Sequence, residues 1–483
     1  MKLKDLMNDI KVLESNVSMD TQINGIAYDS RKVTPGSLFA AITGFATDGN
    51  RFIPMALEKG AAVVVTAVKP DTSVPYVLVE SDRAALAAIS ANWFAHPSKE
   101  MTMIGITGTN GKTSATLLLR HVLQTVKGAK VGLIGTMENC IGDTVVPTER
   151  TTPESYELQE LFAKMRDAGC GYVVMEVSSH ALSLERVGGV EYDVAAFTNL
   201  TEDHLDFHKT MEAYCDAKAI LFRRSKKAVI NCDDPWSGRI TKDMKANAIM
   251  TSVKGKGTLC AENIVLHSDG VSFDAVYAGE KVPVALQIPG RFTVYNVLTV
   301  LGIGLQLGIS LKEAAQALAS AKGVKGRVEV VPTPGKAYTV LIDYAHTPDG
   351  LENVLSSVRD YCKGRLISVF GCGGDRDRTK RPIMGKIGVN LSDIAIITSD
   401  NPRTEDPAAI IEDILAGVPA GAENCVVIEN RIKAIHHAMD IAKKDDIIVL
   451  AGKGHETYQE ICGVKHHLDE REVVTQYLQE TRE

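Results

Sequence analysis

The sequence predicts an α/β protein of three domains whose central domain is a doubly wound sheet. The chain has 483 residues, and at about 150 residues per domain this length corresponds to about three domains. Apolar runs typical of buried strands, among them VGLIG, YVVMEV, VAAFTNL and AVIN, alternate with helical segments, which is the pattern of a mainly parallel sheet covered by helices. Hydrophobic residues make up 45% and charged residues 23% of the chain, a composition that argues against disorder, collagen-like repeats and coiled coil.

The predicted domain boundaries lie near residues 100 and 330. Residues 1–99 contain the β-rich runs VVVTAV and YVLVE and a helical pattern that begins at Ser81, which predicts a small α/β domain. The segment TMIGITGTNGKTSATLLLRHVL combines an apolar β run, a glycine-rich turn and a helix, and predicts a central P-loop-type domain over residues 100–329. After KGVKGRVEVVPTPGKA, four strand candidates predict a Rossmann-like domain over residues 330–483, and they are TVLIDYAH, GRLISVFG, DIAIITSD and DIIVLAG.

Charge and cysteine usage exclude several classes of protein. The 53 Lys and Arg residues against 60 Asp and Glu residues give a formal net charge of −7, without the basic excess of a nucleic-acid-binding protein. The nine cysteines are scattered and contain no Cys-x-x-Cys pair, which fits a reducing compartment. Neither a signal peptide nor a run of about 18 apolar residues is visible. We therefore expect a cytoplasmic protein without membrane insertion.

A glycine-rich loop between an apolar strand and a helix predicts a nucleotide-phosphate site, because backbone N–H groups and the helix N-terminus can bind phosphate there. We expect Lys112 to contact the phosphates and Thr113 to ligate Mg²⁺. The strict G-x-x-x-x-G-K-[ST] pattern is not met, since its first glycine would fall at Ile106. An ordinary tight turn is the alternative, but the strand and helix context favours an ATP or GTP site. The residues of the loop are Gly108, Thr109, Asn110, Gly111, Lys112, Thr113 and Ser114.

The string TGTNGKTS resembles the variant phosphate loop of the Mur ligase family, enzymes that use ATP to join amino acids to cell-wall precursors. Further motifs over almost the whole chain are similar to those of the MurE type, which adds the third peptide residue to UDP-N-acetylmuramoyl-L-alanyl-D-glutamate (UDP-MurNAc-L-Ala-D-Glu). They are YDSR, TTPES, EVSSHAL, NLTEDHLDFH, YCDAKAILF, GRFTVYN, DYAHTPDG, GCGGDRDRTKRP, SDNPR and AGKGHE. The resemblance implies a ligase that transfers the γ-phosphoryl group of ATP to a carboxylate, so that an amine can attack the resulting acyl phosphate.

Three side chains are candidate Mg²⁺ ligands at strand ends. Glu176 ends the run YVVMEV, His204 lies in EDHLDFH, and Thr113 belongs to the phosphate loop. Taken singly, such a glutamate can be a surface residue or a helix cap, and a histidine can be structural. The combination and the resemblance together favour the metal site.

Lys218 lies among apolar neighbours in the helical segment MEAYCDAKAILF. Burial there would lower the pKa of the lysine, and a neutral amine can react with CO₂. The resemblance implies that Lys218 is carbamylated, that the resulting anion helps to hold Mg²⁺ and the transferring phosphate, and that Lys112, Glu176 and His204 complete the catalytic set. From the residues alone, a lysine that reaches solvent from the helix surface remains an alternative.

The resemblance also implies further nucleotide contacts. A carboxylate at a strand end can accept ribose hydroxyls, and an arginine can neutralise γ-phosphate charge. Two positions depart from the family pattern, with Thr293 where asparagine is common and Lys325 where proline is common. The implied contacts are Asn199, Asn296, Arg327 and Asp343.

UDP-MurNAc-L-Ala-D-Glu would be held, by the same resemblance, by hydroxyl and guanidinium groups that suit phosphate and carboxylate. Ser30 and Arg31 of YDSR would hold the UDP part in the N-terminal domain. Ser30 as a turn cap and Thr152 as the start of a helix are alternatives that the residues leave open. The implied sugar-peptide contacts in the central domain are Thr151, Thr152, Ser178 and Arg186.

The SDNPR segment predicts the amino-acid pocket, because it places Arg403 after a strand, where substrates of open sheets bind. Meso-diaminopimelate has a second amino-acid end whose carboxylate Arg403 can bind in a bidentate manner, whereas L-lysine would leave a buried arginine unpaired. A surface salt bridge is the alternative role for this arginine. The pocket implied by the resemblance consists of Arg376, Asp400, Asn401, Pro402, Arg403, Gly452 and Glu456.

Taken together, the residues and the resemblance predict a monomeric, ATP- and Mg²⁺-dependent ligase that adds meso-2,6-diaminopimelate to UDP-MurNAc-L-Ala-D-Glu in peptidoglycan synthesis. An L-lysine-adding ligase of the same type and a folylpolyglutamate synthetase-like ligase remain alternatives, although the latter leaves YDSR and DNPR unexplained. A nucleotide-regulated binding protein without ligase chemistry is a third alternative, against which the retained catalytic set argues.

Overall fold

The structure is a computed structural model that describes residues 1–44, 47–71, 73–148 and 150–481. The chain divides into two compact units. The first consists of Met1–Leu259 with Thr299–Ala314, and the second of Cys260–Leu298 with the chain from Ala315 onward. Within the described residues, no helix combines the length and apolar character that a membrane crossing requires.

A five-stranded sheet forms the N-terminal part of the first unit. Its strands are β1 (Val12–Ser15), β2 (Gly25–Ala27), β3 (Ser37–Ala40), β4 (Val63–Thr66) and β5 (Tyr76–Val79), and its helices are α1 (Leu3–Leu6), α2 (Ile53–Glu58) and α3 (Asp82–Trp93). The order is β1-β5-β4-β3-β2, with β1 antiparallel and the other strands parallel. Helix α3 begins where the sequence predicts it, because the Ser81 hydroxyl accepts a hydrogen bond from the N–H of Ala84 (3.3 Å).

The second sheet of the first unit carries the phosphate loop. Its strands are β6 (Thr102–Thr107), β7 (Val131–Ile134), β8 (Asn139–Ile141), β9 (Thr144–Val146), β10 (Tyr172–Glu176), β11 (Tyr192–Phe197), β12 (Ser225–Asn231) and β13 (Asn247–Ser252). Its helices are α4 (Lys112–Lys127), α5 (Ser155–Asp167), α6 (Ser179–Ser183), α7 (Leu205–His208), α8 (Met211–Arg223) and α9 (Ser237–Ile240). The order β13-β12-β11-β6-β10-β7-β8-β9 places β10 and β11 on opposite sides of β6. The strand order therefore reverses at β6, whose neighbours β10 and β11 are both parallel to it, and doubly wound sheets bind ligands at such a switch point.

Antiparallel strands follow in the chain and were not predicted. They are β14 (Leu259–His267), β15 (Gly270–Tyr277) and β16 (Glu280–Leu286), and the helices α10 (Arg291–Gln306) and α11 (Leu311–Leu318) come next. In β16 the residues Val282, Val284 and Leu286 are buried while their neighbours are exposed. This alternation is the signal for a strand with one solvated face, and it is visible in the sequence.

The C-terminal sheet has six strands, of which the four inner ones are buried on both faces. The elements are β17 (Glu329–Val331), β18 (Thr339–Asp343), β19 (Leu366–Phe370), β20 (Ile394–Ile397), β21 (Cys425–Val427), β22 (Ile447–Ala451), the hairpin strands β23 (Tyr458–Ile461) and β24 (Val464–His467), and the helices α12 (Pro348–Arg359), α13 (Lys380–Leu391), α14 (Pro407–Leu415), α15 (Arg431–Ile441) and α16 (Glu470–Glu480). The order is β17-β18-β22-β19-β20-β21, parallel except for β17. Leu341 packs into one core, and Val340 and Ile342 into another on the opposite face.

The predicted α/β class is confirmed in both units. The runs VGLIG, YVVMEV, VAAFTNL and AVIN correspond to β7, β10, β11 and β12, and the four runs predicted near the C-terminus correspond to β18, β19, β20 and β22. All eight strands are parallel members of their sheets. Their carboxyl ends carry Glu176, Asn199, Asp343, residues 400–403 and Gly452, whereas the phosphate loop follows β6.

Candidate active site

The phosphate loop joins the end of β6 to the first residue of α4. Gly108 has φ 154° and Gly111 has φ 85°, which are conformations that favour glycine. A Cβ at position 108 would lie 1.9 Å from the hydroxyl oxygen of Thr198, so no side chain fits there. The backbone path itself therefore requires this glycine.

Asn199 holds the phosphate loop from the segment after β11. Its Oδ1 accepts the N–H of Asn110 (2.9 Å), and its Nδ2 donates to the carbonyl of Asn110 (3.1 Å). Its own carbonyl accepts the N–H of Thr109 (2.9 Å). The predicted nucleotide contact thus lies against the loop, where it supports the backbone that would receive phosphate.

Two lysine side chains converge on the carbonyl oxygen of Gly108. The Nζ of Lys112 donates to this oxygen at 2.9 Å and to the carbonyl of Thr109 at 2.8 Å. The Nζ of Lys218, which comes from α8, donates to the same Gly108 oxygen at 3.0 Å. Two ammonium groups sharing one acceptor would repel each other, because they lie within about 6 Å.

Lys218 is 1% exposed, so it does not reach solvent from the helix surface. Its Nζ lies 4.5 Å from the ring centre of Tyr214. Burial, and next the charge of Lys112, lower the pKa of Lys218 well below its usual value. The surroundings therefore favour the neutral amine, which is the form that reacts with CO₂.

Glu176 ends β10 as a buried carboxylate with three hydrogen bonds. The Thr113 hydroxyl donates to its Oε1 at 2.9 Å. Thr136 donates its N–H to Oε1 at 3.0 Å and its hydroxyl to Oε2 at 3.0 Å. Thr113 and Glu176, both predicted as Mg²⁺ ligands, are therefore adjacent. Thr136, which follows β7, was not predicted because it lies 40 residues from Glu176 in the chain.

The oxygen atoms of Thr113 and Glu176 fit Mg²⁺, which proteins usually hold by one or two carboxylates together with waters and substrate phosphates. Among the described residues, no three His, Cys, Asp or Glu side chains form a complete metal cage. His204 has φ 55° and a side chain that is 46% exposed. Its Nε2 lies 3.5 Å from the carboxylate of Asp203, and its ring lies edge-on to His180, with 4.8 Å between centroids. Thr113 and Glu176 are thus hydrogen-bonded to each other, whereas His204 contacts Asp203 and His180.

A cluster of rings that was not predicted lies between His204 and the phosphate loop. The ring of His208 stacks on Tyr214, with 4.9 Å between centroids, and its Nε2 lies 2.9 Å from the Ser179 hydroxyl. Burial lowers the pKa of His208 to about 4, so this ring is neutral at physiological pH. The Tyr214 hydroxyl lies 3.2 Å from the hydroxyl of Thr109 in the loop.

Three of the predicted sugar-peptide contacts gather at the end of β10. The buried Thr152 hydroxyl donates to the carbonyl of Glu176 (2.8 Å) and accepts the N–H of Ser178 (3.1 Å). The Thr151 hydroxyl lies 3.0 Å from that of Thr136. Helix α5 begins only at Ser155, so Thr152 does not start it. Threonine and serine side chains therefore line the backbone next to the Glu176 carboxylate.

Arg186 belongs to a group of three arginines around one buried carboxylate, that of Glu154. The Oε2 of Glu154 lies 3.2 Å from Nε of Arg186. Nη1 of Arg83 and Nη1 of Arg150 lie 3.6 Å and 3.9 Å from the same oxygen. Burial, partly offset by Glu154, lowers the pKa of Arg186. Three guanidinium groups against one carboxylate leave an excess of positive charge that suits an anionic substrate.

Ser30 and Arg31 lie in the N-terminal sheet domain and make local contacts. Asp29 caps the short 3₁₀ helix that begins at Ser30, and the Ser30 hydroxyl lies 3.3 Å from the sulfur of Met55. Arg31 is exposed and pairs with Asp29 at 2.7 Å. Ser30 is therefore not the cap of this turn.

In the second unit, Asp343 ends β18 as a buried carboxylate. Its Oδ2 accepts the N–H of Val328 (2.8 Å). Burial raises the pKa of the Asp343 carboxyl to about 6, against opposing hydrogen bonds and the charge of Arg327. The guanidinium of Arg327 lies 5.7 Å from the ring centre of Tyr344. Asn296, the other nucleotide contact predicted in this unit, is buried in α10.

Asp343→Asn should stabilise the protein at pH 8 by about 2 kcal/mol, after allowance for the hydrogen bond from the Ala345 N–H that asparagine loses. The folded-state pKa lies above the unfolded value of 3.8, so ionisation opposes folding. The penalty is absent below the unfolded pKa, grows as the pH rises, and is complete above about pH 6. Urea unfolding should show that the gain in the free energy of unfolding at about pH 4.5 is less than half of the gain at pH 8.

Asp446→Asn provides a control of opposite sign in the same unit. Although burial raises its pKa, the hydrogen bonds of Arg365 and of the Lys443 N–H lower it overall. Asparagine should therefore destabilise the protein at pH 8. An Asp343→Asn variant that is less stable than wild type at pH 8 would contradict the prediction.

Arg403 is held in an unusual backbone conformation by the β23–β24 hairpin. It has φ 53°; its N–H donates to the carbonyl of Glu460 (3.0 Å), and its carbonyl accepts the N–H of Cys462 (2.7 Å). Its Nη1 donates to the carbonyl of Gly374 (2.8 Å), and its Nε lies 3.4 Å from the Glu460 carboxylate. The side chain remains 22% exposed, so a ligand can reach it.

Asn401, Gly452 and Glu456 lie close together around the DNPR segment. The Nδ2 of Asn401 donates to Oε2 of Glu456 (2.9 Å), and its N–H donates to Oδ1 of Asp400 (2.7 Å). A Cβ at Gly452 would lie 2.8 Å from Oδ2 of Asp400, so this position has no room for a larger side chain.

Pro402 and Arg376, which are also predicted for this pocket, differ in their solvent exposure. Pro402 is buried, and a Cβ at Gly374 would lie 1.9 Å from its carbonyl oxygen, so the loop after β19 packs closely on the DNPR segment. Arg376 lies exposed in the same loop.

Three family models match most of the chain. The Mur ligase family catalytic domain matches residues 22–98, the Mur ligase middle domain matches residues 106–304, and the Mur ligase glutamate ligase domain matches residues 326–454. The chain belongs to the Mur ligase family, as the phosphate loop and the other motifs predict.

Relatives with names indicate which type of Mur ligase this chain is similar to. A UDP-N-acetylmuramoyl-L-alanyl-D-glutamate–2,6-diaminopimelate ligase of Clostridium botulinum is 51% identical over 465 residues, which are 95% of this chain and 96% of that protein. A ligase of the same name from Caldanaerobacter subterraneus is 47% identical and covers 100% of both chains. A solved structure that carries this name is 30% identical, with a TM-score of 0.78, and covers 100% of this chain and 99% of the other.

Proposed function

We propose that the protein is an ATP-dependent ligase that adds meso-2,6-diaminopimelate to UDP-MurNAc-L-Ala-D-Glu, a step of peptidoglycan precursor synthesis. The observation that carries the proposal is the phosphate loop with Lys218 buried against it and the Thr113–Glu176 pair beside it. The names of relatives that are 47–51% identical over nearly the whole chain support the two substrates.

Two steps form the amide bond. A carboxylate oxygen of the D-glutamate residue attacks the γ-phosphorus of ATP, ADP leaves, and an acyl phosphate results. The amino group of diaminopimelate then attacks the carbonyl carbon, phosphate leaves with the bonding electron pair, and the amine loses a proton. Such phosphoryl transfer depends mainly on positioning and charge neutralisation.

The phosphate loop and its neighbours would supply both the positioning and the charge neutralisation. Its N–H groups at the start of α4 would bind the β- and γ-phosphates, and Lys112 would turn from the carbonyls of Gly108 and Thr109 toward them. Thr113 and Glu176, with His204, would hold Mg²⁺, which neutralises phosphate charge when bound. Asn199 keeps the loop backbone in place through Asn110.

Lys218 would act as a carbamate. The neutral amine attacks CO₂, an N–C bond forms, and one proton is released, so that a buried neutral group is replaced by an anion. The charge of Lys112 would then attract this side chain instead of repelling it. The contact of Lys218 Nζ with the Gly108 carbonyl supports a position of this anion beside the phosphate loop.

The substrates would be shared among three domains over residues 1–99, 100–329 and 330–483, boundaries that the family models at 22–98, 106–304 and 326–454 support. Ser30 and Arg31 would hold the UDP part, and the residues around Glu154 and Thr152 would hold the sugar-peptide, since their excess positive charge suits its carboxylates. Asn296, Arg327 and Asp343 would be further nucleotide contacts. The protein would work as a monomer in the cytoplasm, where its precursors are made.

Diaminopimelate is favoured over L-lysine because Arg403 and Asn401 offer donors to a second carboxylate that L-lysine lacks. The remainder of this pocket would consist of Arg376, Asp400, Pro402, Gly452 and Glu456.

The folylpolyglutamate alternative has weaker support. A structure of Escherichia coli FolC is 19% identical to this chain, with a TM-score of 0.57, so that likeness concerns the fold alone.

Purified protein with ATP, Mg²⁺, UDP-MurNAc-L-Ala-D-Glu and meso-diaminopimelate should give a product whose mass corresponds to addition of one diaminopimelate residue. The same mixture with L-lysine in place of diaminopimelate should give much less product. Efficient addition of L-lysine would favour the lysine-adding alternative, and phosphate release with a folate substrate alone would favour the folylpolyglutamate alternative. With no turnover under any of these conditions, the ligase proposal would fail.

A further inference from the structure

Lys453 lies fully buried behind the pocket that the proposed function assigns to the amino-acid substrate. It follows Gly452 at the end of β22 and has 0% exposure. Its Nζ donates to Oδ1 of Asn401 at 3.0 Å and lies 3.5 Å from Oε2 of Glu456. Lysine is almost never buried so completely unless its charge is paired, and none of the roles assigned above uses this residue.

Three hydrogen bonds fix the direction of the Asn401 amide. The Oδ1 atom accepts from Nζ of Lys453 and from the N–H of Glu460 at 2.9 Å. The Nδ2 atom donates to Glu456 at 2.9 Å. An amide nitrogen carries two hydrogens and no acceptor site, and since Glu456 is the one acceptor that the described residues offer to Nδ2, the second hydrogen remains for a ligand. Asn401 is thereby set as a donor, a polarity that suits a carboxylate and disfavours an ammonium.

Lys453 also balances the charge of the pocket. Arg403 lies 3.4 Å from Glu460, and Lys453 lies 3.5 Å from Glu456, so each cation has a carboxylate beside it. Without Lys453, the Glu456 carboxylate would lose its counter-charge, and the pocket would become more attractive to a cation. The side-chain ammonium of L-lysine is such a cation.

We propose that Lys453 is a specificity-determining residue of the amino-acid pocket. By fixing Asn401 as a hydrogen-bond donor and by balancing Glu456, it favours an amino acid whose far end carries a carboxylate over one whose far end carries only an ammonium. Lys453 acts through these two neighbours, so it is a positioning residue. The inference deepens the proposed function and rests on it.

The test compares kcat/KM for meso-diaminopimelate and for L-lysine in wild type and in Lys453→Met. Methionine keeps an unbranched apolar chain and removes both the donor and the charge. We expect the ratio of the two kcat/KM values, diaminopimelate over lysine, to fall about tenfold, since a buried charge-assisted hydrogen bond is lost. A purely structural defect would lower both values by the same factor and leave the ratio unchanged.

Lys465→Met is a matched control. The Nζ atoms of Lys465 and Lys453 lie 4.2 Å and 5.9 Å from the ring centre of the same residue, Tyr458, but Lys465 is exposed on β24. The control should keep the wild-type ratio. An unchanged ratio in Lys453→Met, or an equal fall in both variants, would overturn the inference.

A second variant covers the case in which Lys453→Met does not fold. Asn401→Asp replaces the donor by an acceptor of the same shape, and it should also lower the ratio; if the ratio stays at the wild-type value, the inference is overturned. Wild-type protein that uses neither amino acid would contradict the proposed function itself. Active wild type with an unchanged ratio in the variants would contradict this inference alone.

Discussion

Lys218→Met should lower kcat by about 10³-fold, which is the scale of loss when one preorganised charge is removed from a transition state. The same change should raise the free energy of unfolding, because burial and the charge of Lys112 already make an ammonium unfavourable at this position. Activity and stability would thus move in opposite directions. Steady-state phosphate release and urea unfolding of the same preparation measure the two effects.

Lys218→Arg distinguishes a carbamate from a positive charge, since arginine keeps its charge and is not carbamylated. We expect the same loss of turnover as with methionine. Wild-type activity should also fall in CO₂-depleted buffer and return on addition of bicarbonate, and ¹³C-labelled bicarbonate should give a carbamate signal that Lys218→Arg lacks. Lys226→Ala, which removes an exposed lysine paired with Asp193, should leave turnover unchanged. An active Lys218→Arg variant would contradict the carbamate role.

Local sequence patterns predict much of the fold and the core of the phosphate site. The loop from Gly108 to Thr113 is recognisable because the strand, the glycines and the helix that position it are consecutive in the chain. The apolar helix neighbours of Lys218 suggest burial, and the structure gives 1% exposure, but its assignment to the site rests on the resemblance. The strands whose ends carry the site are short continuous apolar runs of four to six residues, which their length, their β-branched residues and the turn residues beside them identify as buried strands.

Partners supplied by distant segments were missed. Thr136 contacts Glu176 across 40 residues, and the contact exists because β7 and β10 are neighbours in the sheet. Arg83 approaches Glu154 from the N-terminal domain across the fold. A lone threonine or arginine carries no local signal for such a contact, because strand order and domain packing decide which residues meet.

Arg403→Ala should lower kcat/KM for meso-diaminopimelate by about 10²-fold or more, since truncating one partner of a desolvated charge pair costs several kcal/mol. The loss should appear mainly in KM for diaminopimelate, while KM for ATP stays near its wild-type value. Arg403→Lys should recover only part of the loss, because an ammonium lacks the planar fork that matches a carboxylate. Both substitutions keep a Cβ at φ 53°, so backbone strain is the same in each variant.

Arg403→Ala should also raise kcat/KM for L-lysine. Arg403 neutralises the Glu460 carboxylate at 3.4 Å, and its removal leaves that carboxylate available for the side-chain ammonium of L-lysine. Arg378→Ala is the control, because it removes an exposed guanidinium that pairs with Asp413 at 2.9 Å in the same unit. A fall in kcat/KM for diaminopimelate together with a rise for L-lysine would mean that the charge of Arg403 selects between the two amino acids. Parallel losses for both amino acids would instead mean that Arg403 merely holds the loop after β19 through the carbonyl of Gly374.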